Sequence, residues 1–509
     1  MKNILSKVLL ALLAILILAE VWLYLGRFYV ALGSDLPIDY EGPTYYGVRL
    51  LASGGNIYDP ATLDKAPFMV TIYMPVYYAL GAIFQKMCDL TVGLKACRLI
   101  SILSLCATGY FSYRIFALSN IGRVRSVLGL FVFLNFFALW IWSNYCRVDM
   151  LATSLSLFAL ERFLSLESGK QESSSIRYLL KAFCIPTLLC IAAVFTKQSS
   201  IVVAFSILIY LLWLRKWRES FVFSLAFGGG CATLTIILQV ITGGGFLQHM
   251  KFASKMPFDW TMMMEHLGWI GLDWLKILII CASCTVLIVF GKRIENDNSE
   301  KSFFALSVPF LLSTAIFTLY TLGTQYPNTN HAILFYFVLS FVFLQVSNQF
   351  KQRQDGKQET VYSLSLVLAC LLNCALMFQL LPSMLTWPAQ LSASSAYFEE
   401  LKKIKANSLV FTEDPYLSLV SNTKPLFVDV STFVQVWRGE RKESWEKDLQ
   451  EMVSKEKFAA VIVNCHDDQK EKPSYYWSED LVNLIHQKYS LNSSTMGNRQ
   501  SQNLYLQAN

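Results

Sequence analysis

The sequence predicts a polytopic α-helical membrane protein of about eleven transmembrane helices, with a C-terminal extracytoplasmic α/β domain. Three observations predict it. The 509 residues are 54% hydrophobic and only 16% charged, with mean hydropathy +0.42, whereas soluble chains carry charge on about a quarter of their residues. Apolar runs of about 20 residues recur between short charged loops. Beyond residue 390 the pattern changes to short apolar strands alternating with amphipathic stretches.

The first run, 8–30, follows Lys2 and Lys7. It is too long for the apolar region of a signal peptide and lacks a small-residue cleavage site, so it reads as an uncleaved first helix. Further runs fall at 92–118, 126–146, 150–165, 180–195, 199–214, 220–241, 271–291, 303–323, 331–347 and 361–382. Charge gives their orientation. Alternate loops hold Arg123 and Arg125; Lys170, Arg177 and Lys181; Arg215, Lys216 and Arg218; Lys292, Arg293 and Lys301; Lys351, Arg353 and Lys357. Basic loops lie on the cytoplasmic side, which puts the amino terminus inside and the tail outside. The net charge of +7 belongs to this part, since the chain from Leu391 has 14 Lys plus Arg against 16 Asp plus Glu. A nucleic-acid partner is not indicated.

Two domains are therefore expected: 1–382, membrane-embedded with an outer loop at 31–91, and 383–509. In the second, 408–414, 425–430 and 458–464 read as strands, and 396–406, 444–455 and 478–489 as helices, an arrangement that argues for a parallel α/β unit. Neither a Walker A motif nor GxGxxG occurs, so no nucleotide site is indicated. Of the 12 Cys, Cys281 and Cys284 form a CxxC inside an apolar run. With no second pair to complete a zinc site, they read as packing residues.

The polar residues that do not set orientation gather in the outer loops. "DYEGP" carries Asp39 and Glu41, two apart and so on one face of an extended segment; the plain alternative is a solvated acidic loop. "NYCRVDM" carries Arg147 and Asp149, which could equally be an interfacial ion pair. "FTKQSS" carries Lys197 and Gln198, a cation against the topogenic bias, suited to an anionic ligand or to snorkelling. "YPNTNH" carries Tyr326, Asn328, Asn330 and His331, apt for hydroxyl groups or an ordinary turn.

Together, in order, these stretches resemble the bacterial GT-C-fold glycosyltransferases, polyprenyl-phosphate-sugar-dependent enzymes related to the protein mannosyltransferase and aminoarabinose transferase families. The resemblance is nearest to their Rgt-like branch. "DYEGP", "VRLLASGGNIYDP", "YMPVYYAL", "CRVDMLATSLSLFALERFL", "FTKQSS" and "NTNHAILF" carry it across most of 1–382. Phe335 and Tyr336 stand where that branch often has an acidic residue.

The resemblance implies a transferase of the cell envelope, in the bacterial inner membrane with a periplasmic tail. It would move sugar from a polyprenyl-phosphate donor to a hydroxyl on a glycan, lipid or protein. Asp39 or Glu41 would be the general base. Lys197 and Arg147 would bind the donor phosphate, and Asp149, Gln198, Asn328 and Asn330 would orient the acceptor or a metal. No cofactor is certain; a divalent cation is open, with Asp39 and Asp149 as its ligands. A transporter or flippase of lipid-linked sugar, or a non-catalytic assembly subunit, are the other readings. The first would call for internal repeats and charges within the spans. No repeat is evident, and Glu20 is the main acid inside an apolar run.

Overall fold

The computed structural model describes residues 2–35, 37, 41–119, 122–168, 176–269, 271–290, 298–324, 329–349, 399–440, 444–465, 477–495 and 501–507. The apolar run expected at 361–382 lies outside them, as do Asp39 and Asn328. Six of the described helices are long and apolar enough to cross a membrane, at Ala14–Gly33, Leu90–Leu118, Arg177–Val194, Trp217–Ile241, Leu306–Thr324 and Thr329–Val346. Further helices occupy the runs expected at 150–165, 199–214 and 271–291, as Asp149–Ser168, Ile201–Trp213 and Gly271–Phe290. The chain is a multi-pass membrane protein.

The Leu90–Leu118 helix packs against Asp149–Ser168. Small side chains face the core there, and Ser104 and Ser112 donate back to the carbonyls of Ile100 and Thr108, both at 2.7 Å. That satisfies each hydroxyl within its own helix and lets the backbones approach.

The run expected at 126–146 is broken into Arg123–Leu134 and Phe137–Trp142. A break inside a membrane frees backbone groups that lipid cannot satisfy. Here the Gly271–Phe290 helix supplies the partners. Lys276 Nζ donates to the Asn135 carbonyl at 2.6 Å, and Asp273 Oδ1 accepts from Phe137 N at 3.0 Å. The two side chains also pair at 2.9 Å and are buried. The break ends the helical run early, so 143–148 emerges as a loop rather than as the last turn of a span. Arg27 fixes that loop from below, bonding Asn144 Oδ1 at 3.3 Å and lying 4.4 Å over the Trp140 ring.

The tail carries a five-stranded sheet of β1 (Leu409–Thr412), β2 (Lys424–Pro425), β3 (Ala460–Cys465), β4 (Tyr489–Thr495) and β5 (Ser501–Gln507), in the order β2-β1-β3-β5-β4. The pairs of β1 with β2 and β3 are parallel, but β5 runs antiparallel to both β3 and β4. The sheet is therefore mixed, not parallel throughout. The strand expected at 425–430 pairs with β1 only at its start. Phe427 then bridges Phe68 of the first long loop instead, through Phe68 N to Leu426 O at 2.7 Å and Val428 N to Phe68 O at 2.8 Å. Phe68 also joins the ring cluster of Phe427, Phe433 and Trp437. Loop and tail thus share backbone hydrogen bonds and one core.

Candidate active site

The loops expected on the outer side meet at one end of the bundle. Arg147 and Asp149 come from the segment after the broken run, Lys197 from the turn between two helices, and Asn330 from the turn before Ile333–Gln349. All four are at least nine-tenths buried. Lys197 Nζ lies 2.6 Å from Asp149 Oδ1, and Asn330 Nδ2 donates to the same oxygen at 2.7 Å. Arg147 Nε stands 3.7 Å from Asp149 Oδ2. The Arg147 guanidinium also donates to the Tyr73 hydroxyl and packs between the rings of Tyr73 and Trp142. Gln198 serves the scaffold, donating through Nε2 to the Ile72 carbonyl at 2.9 Å.

Two cations against one carboxylate leave the cluster with surplus positive charge. Burial pulls the Lys197 ammonium below its ordinary range, while Asp149 pulls it back. Opposing cations hold Asp149 on either side, so its surroundings suit an anion and do not suit a divalent metal. Among the described residues no group of three or more His, Cys, Asp or Glu is placed to hold one. Asp39, the other residue expected to bind a metal, lies outside those residues.

Two cavities flank the cluster. The first, about 380 Å³, is lined by Asp149, Lys197 and Asn330 together with Thr314, Phe317 and Leu334 from membrane helices. Asn330 Oδ1 is buried there without a hydrogen-bond partner among the described residues. The second, about 750 Å³, is lined by Arg147, Thr71 and Tyr73 and by Asp429, Thr432 and Gln435 of the tail. Arg147 borders one cavity and Asp149 the other, so their pair stands at the partition.

Glu41 is placed elsewhere. It begins the Glu41–Ala52 helix, is 0% exposed and lines neither cavity. Arg98, also 0% exposed, binds it with Nε at 3.0 Å and Nη2 at 2.6 Å. The Cys146 amide donates to it as well, which ties the helix to the loop that carries Arg147. In this geometry Glu41 tethers the helix to that loop, its carboxylate held by Arg98 and the Cys146 amide.

Asp429 did not emerge from the sequence. It caps the Val430–Glu440 helix, accepting from Thr432 N at 3.1 Å and Thr432 Oγ1 at 2.9 Å. Burial raises its pKa, with Arg147 opposing. The available signal was "DVST", an acid three residues before a hydroxyl at the end of an apolar strand, where α/β sheets place ligand sites.

The sequence matches no protein-family model and no curated protein. Among solved structures, that of ArnT from Cupriavidus metallidurans bound to undecaprenyl phosphate is similar at TM-score 0.56, with 10% identity over 98% of each chain. The fold is of the GT-C type. The oligosaccharyltransferase of Archaeoglobus fulgidus, tethered to an acceptor peptide, is similar at TM-score 0.49 and 12% identity, over 98% of this chain and 74% of that one. At these identities the fold alone is shared.

Proposed function

We propose that the chain is a membrane glycosyltransferase that moves a sugar from a polyprenyl-phosphate donor to a hydroxyl of an envelope glycan, lipid or protein. The observation that carries the reading is the cation-rich Arg147–Asp149–Lys197 cluster at the partition between a membrane-side cavity and a cavity walled by the tail. The fold shared with a protein whose structure holds undecaprenyl phosphate supports it. We place the protein in a bacterial inner membrane with the tail outside, following the basic loops.

In this reading the donor's phosphate lies against Lys197 and Arg147. Its negative charge grows as the bond to the anomeric carbon breaks, and buried cations held in advance stabilise that charge without reorganising. Asp149 keeps both cations aimed, and Asn330 Oδ1 accepts from a sugar hydroxyl. The acceptor approaches from the other side of the partition.

The test uses protein in nanodiscs with a panel of polyprenyl-phosphate sugars, following release of the lipid phosphate. Wild type should turn over at least one donor, and Lys197→Met should lose about 100-fold or more of that rate, the scale of a lost charge-stabilising donor. Intact donors that cross the bilayer of a sealed vesicle would replace the transferase with a flippase.

A further inference from the structure

Attack by an acceptor hydroxyl is helped by a base that takes its proton, a role a carboxylate can fill, and the described acids near the cluster differ in their freedom to do so. Glu41 is enclosed with Arg98. Asp149 faces the first cavity; its Oδ1 is held by Lys197 and Asn330, and its Oδ2 stands 3.7 Å from Arg147 with no hydrogen bond among the described residues, between two cations that hold the carboxylate ionised and make it a weak base. Asp429 lines the second cavity with Arg147 and Tyr73, close enough that its charge perturbs the ionisation of both. We propose that Asp429, carried into the second cavity by the tail, accepts the proton of a hydroxyl-rich acceptor such as a glycan.

The lining supports both halves of this assignment. Thr44, Thr71, Ser431 and Gln435 offer hydroxyl and amide groups to a polyol, and the rings of Tyr73 and Tyr78 offer flat apolar faces. Asp429 is half-buried, and the resulting upward shift makes it a stronger base than a solvated aspartate. The two bonds from Thr432 fix its rotamer and leave lone pairs for a third partner.

In the step, the acceptor oxygen bonds to the anomeric carbon and its proton passes to Asp429. The bond from that carbon to the phosphate oxygen breaks, and its electron pair leaves on the polyprenyl phosphate. Proton and charge then sit on opposite sides of the Arg147–Asp149 pair.

This inference rests on the transferase reading, and azide separates the two. Azide attacks as an anion and needs no base, so it reports the rest of the site without Asp429. Release of polyprenyl phosphate would be measured with water and glycerol as hydroxyl donors, and separately with azide. Asp429→Asn and Asp429→Ser both preserve a capping group, so folding is retained. Each should lose about a hundredfold of hydroxyl-dependent release while keeping azide-dependent release near wild type. Unchanged hydroxyl-dependent release would reduce Asp429 to a helix cap, and equal loss with both nucleophiles would make it a structural residue. The azide-rescued pattern in Asp39→Asn instead would move the base to the first loop. Wild type that releases nothing with either nucleophile, from any donor, would overturn the transferase reading and the inference with it.

Discussion

Two buried arginine–carboxylate pairs lie at the same end of the bundle and differ in what surrounds them. Arg98 and Glu41 are both 0% exposed; the guanidinium binds the carboxylate and also the carbonyls of Ala31 and Ser34, at 2.6 and 2.7 Å. Neither side chain lines a described cavity. Arg147 and Asp149 stand 3.7 Å apart with a cavity on each side, a second cation in contact and a neighbouring Asn330 oxygen without a partner among the described residues. A pair closed on itself holds chain segments together. One that opens on cavities keeps its charge available to a ligand.

The closed pair gives the largest expected effect. Glu41→Gln leaves Arg98 charged and buried against a neutral amide, which costs about 3–5 kcal/mol. Thermal unfolding in detergent should show that loss, while the surviving folded protein keeps its turnover. Loss of turnover at unchanged melting temperature would instead place Glu41 in the chemistry. The open pair comes next. Arg147→Lys keeps the charge but loses the planar fork and the ring packing, and donor turnover should fall about 100-fold, roughly 2.7 kcal/mol. Its melting temperature should stay near wild type; a shift as large as that of Glu41→Gln would erase the distinction between the pairs.

Much of this was legible because polar residues are conspicuous in an apolar chain. Arg147, Asp149, Lys197 and Asn330 were each ambiguous alone, and they converge because the loops between helices of similar length return to one face. Apolar period and basic loops placed the helices for the same reason. What escaped depends on partners distant in sequence. Arg98 lies 57 positions from Glu41, and Lys276 lies 141 from the carbonyl it satisfies at Asn135. No local pattern announces either, so Glu41 read as a free acid and the broken run as continuous. The β4–β5 hairpin escaped because "YSLNSST" and "SQNLYLQ" are too polar to show alternation. Asp429 escaped because a capping acid and a cavity acid look alike until a cavity is seen.

A third carboxylate sharpens the comparison at the smallest scale. Asp414 of the tail is packed against Gly42, the residue after Glu41, so closely that a Cβ there would fall 2.0 Å from its Oδ1. Burial raises its pKa to about 7, with Glu41 adding to the rise and the Tyr416 amide opposing. Among the described residues no cation offsets that burial, in contrast to Glu41 beside it. The folded state therefore binds more protons than the unfolded chain between about pH 4 and the raised value, so stability falls as pH rises through that window and levels off above about 7. Asp414→Asn should flatten this dependence and raise the melting temperature at pH 8, because Asn caps the Pro415–Val420 helix as Asp does. The gain should be on the order of 1–2 kcal/mol, about one pKa unit of linkage realised once the site relaxes. A melting temperature of wild type that gains on that of Asp414→Asn between pH 5 and 7 would show that Asp414 is ionised and paired when folded, and the contact of tail with first loop would then be a third ion pair.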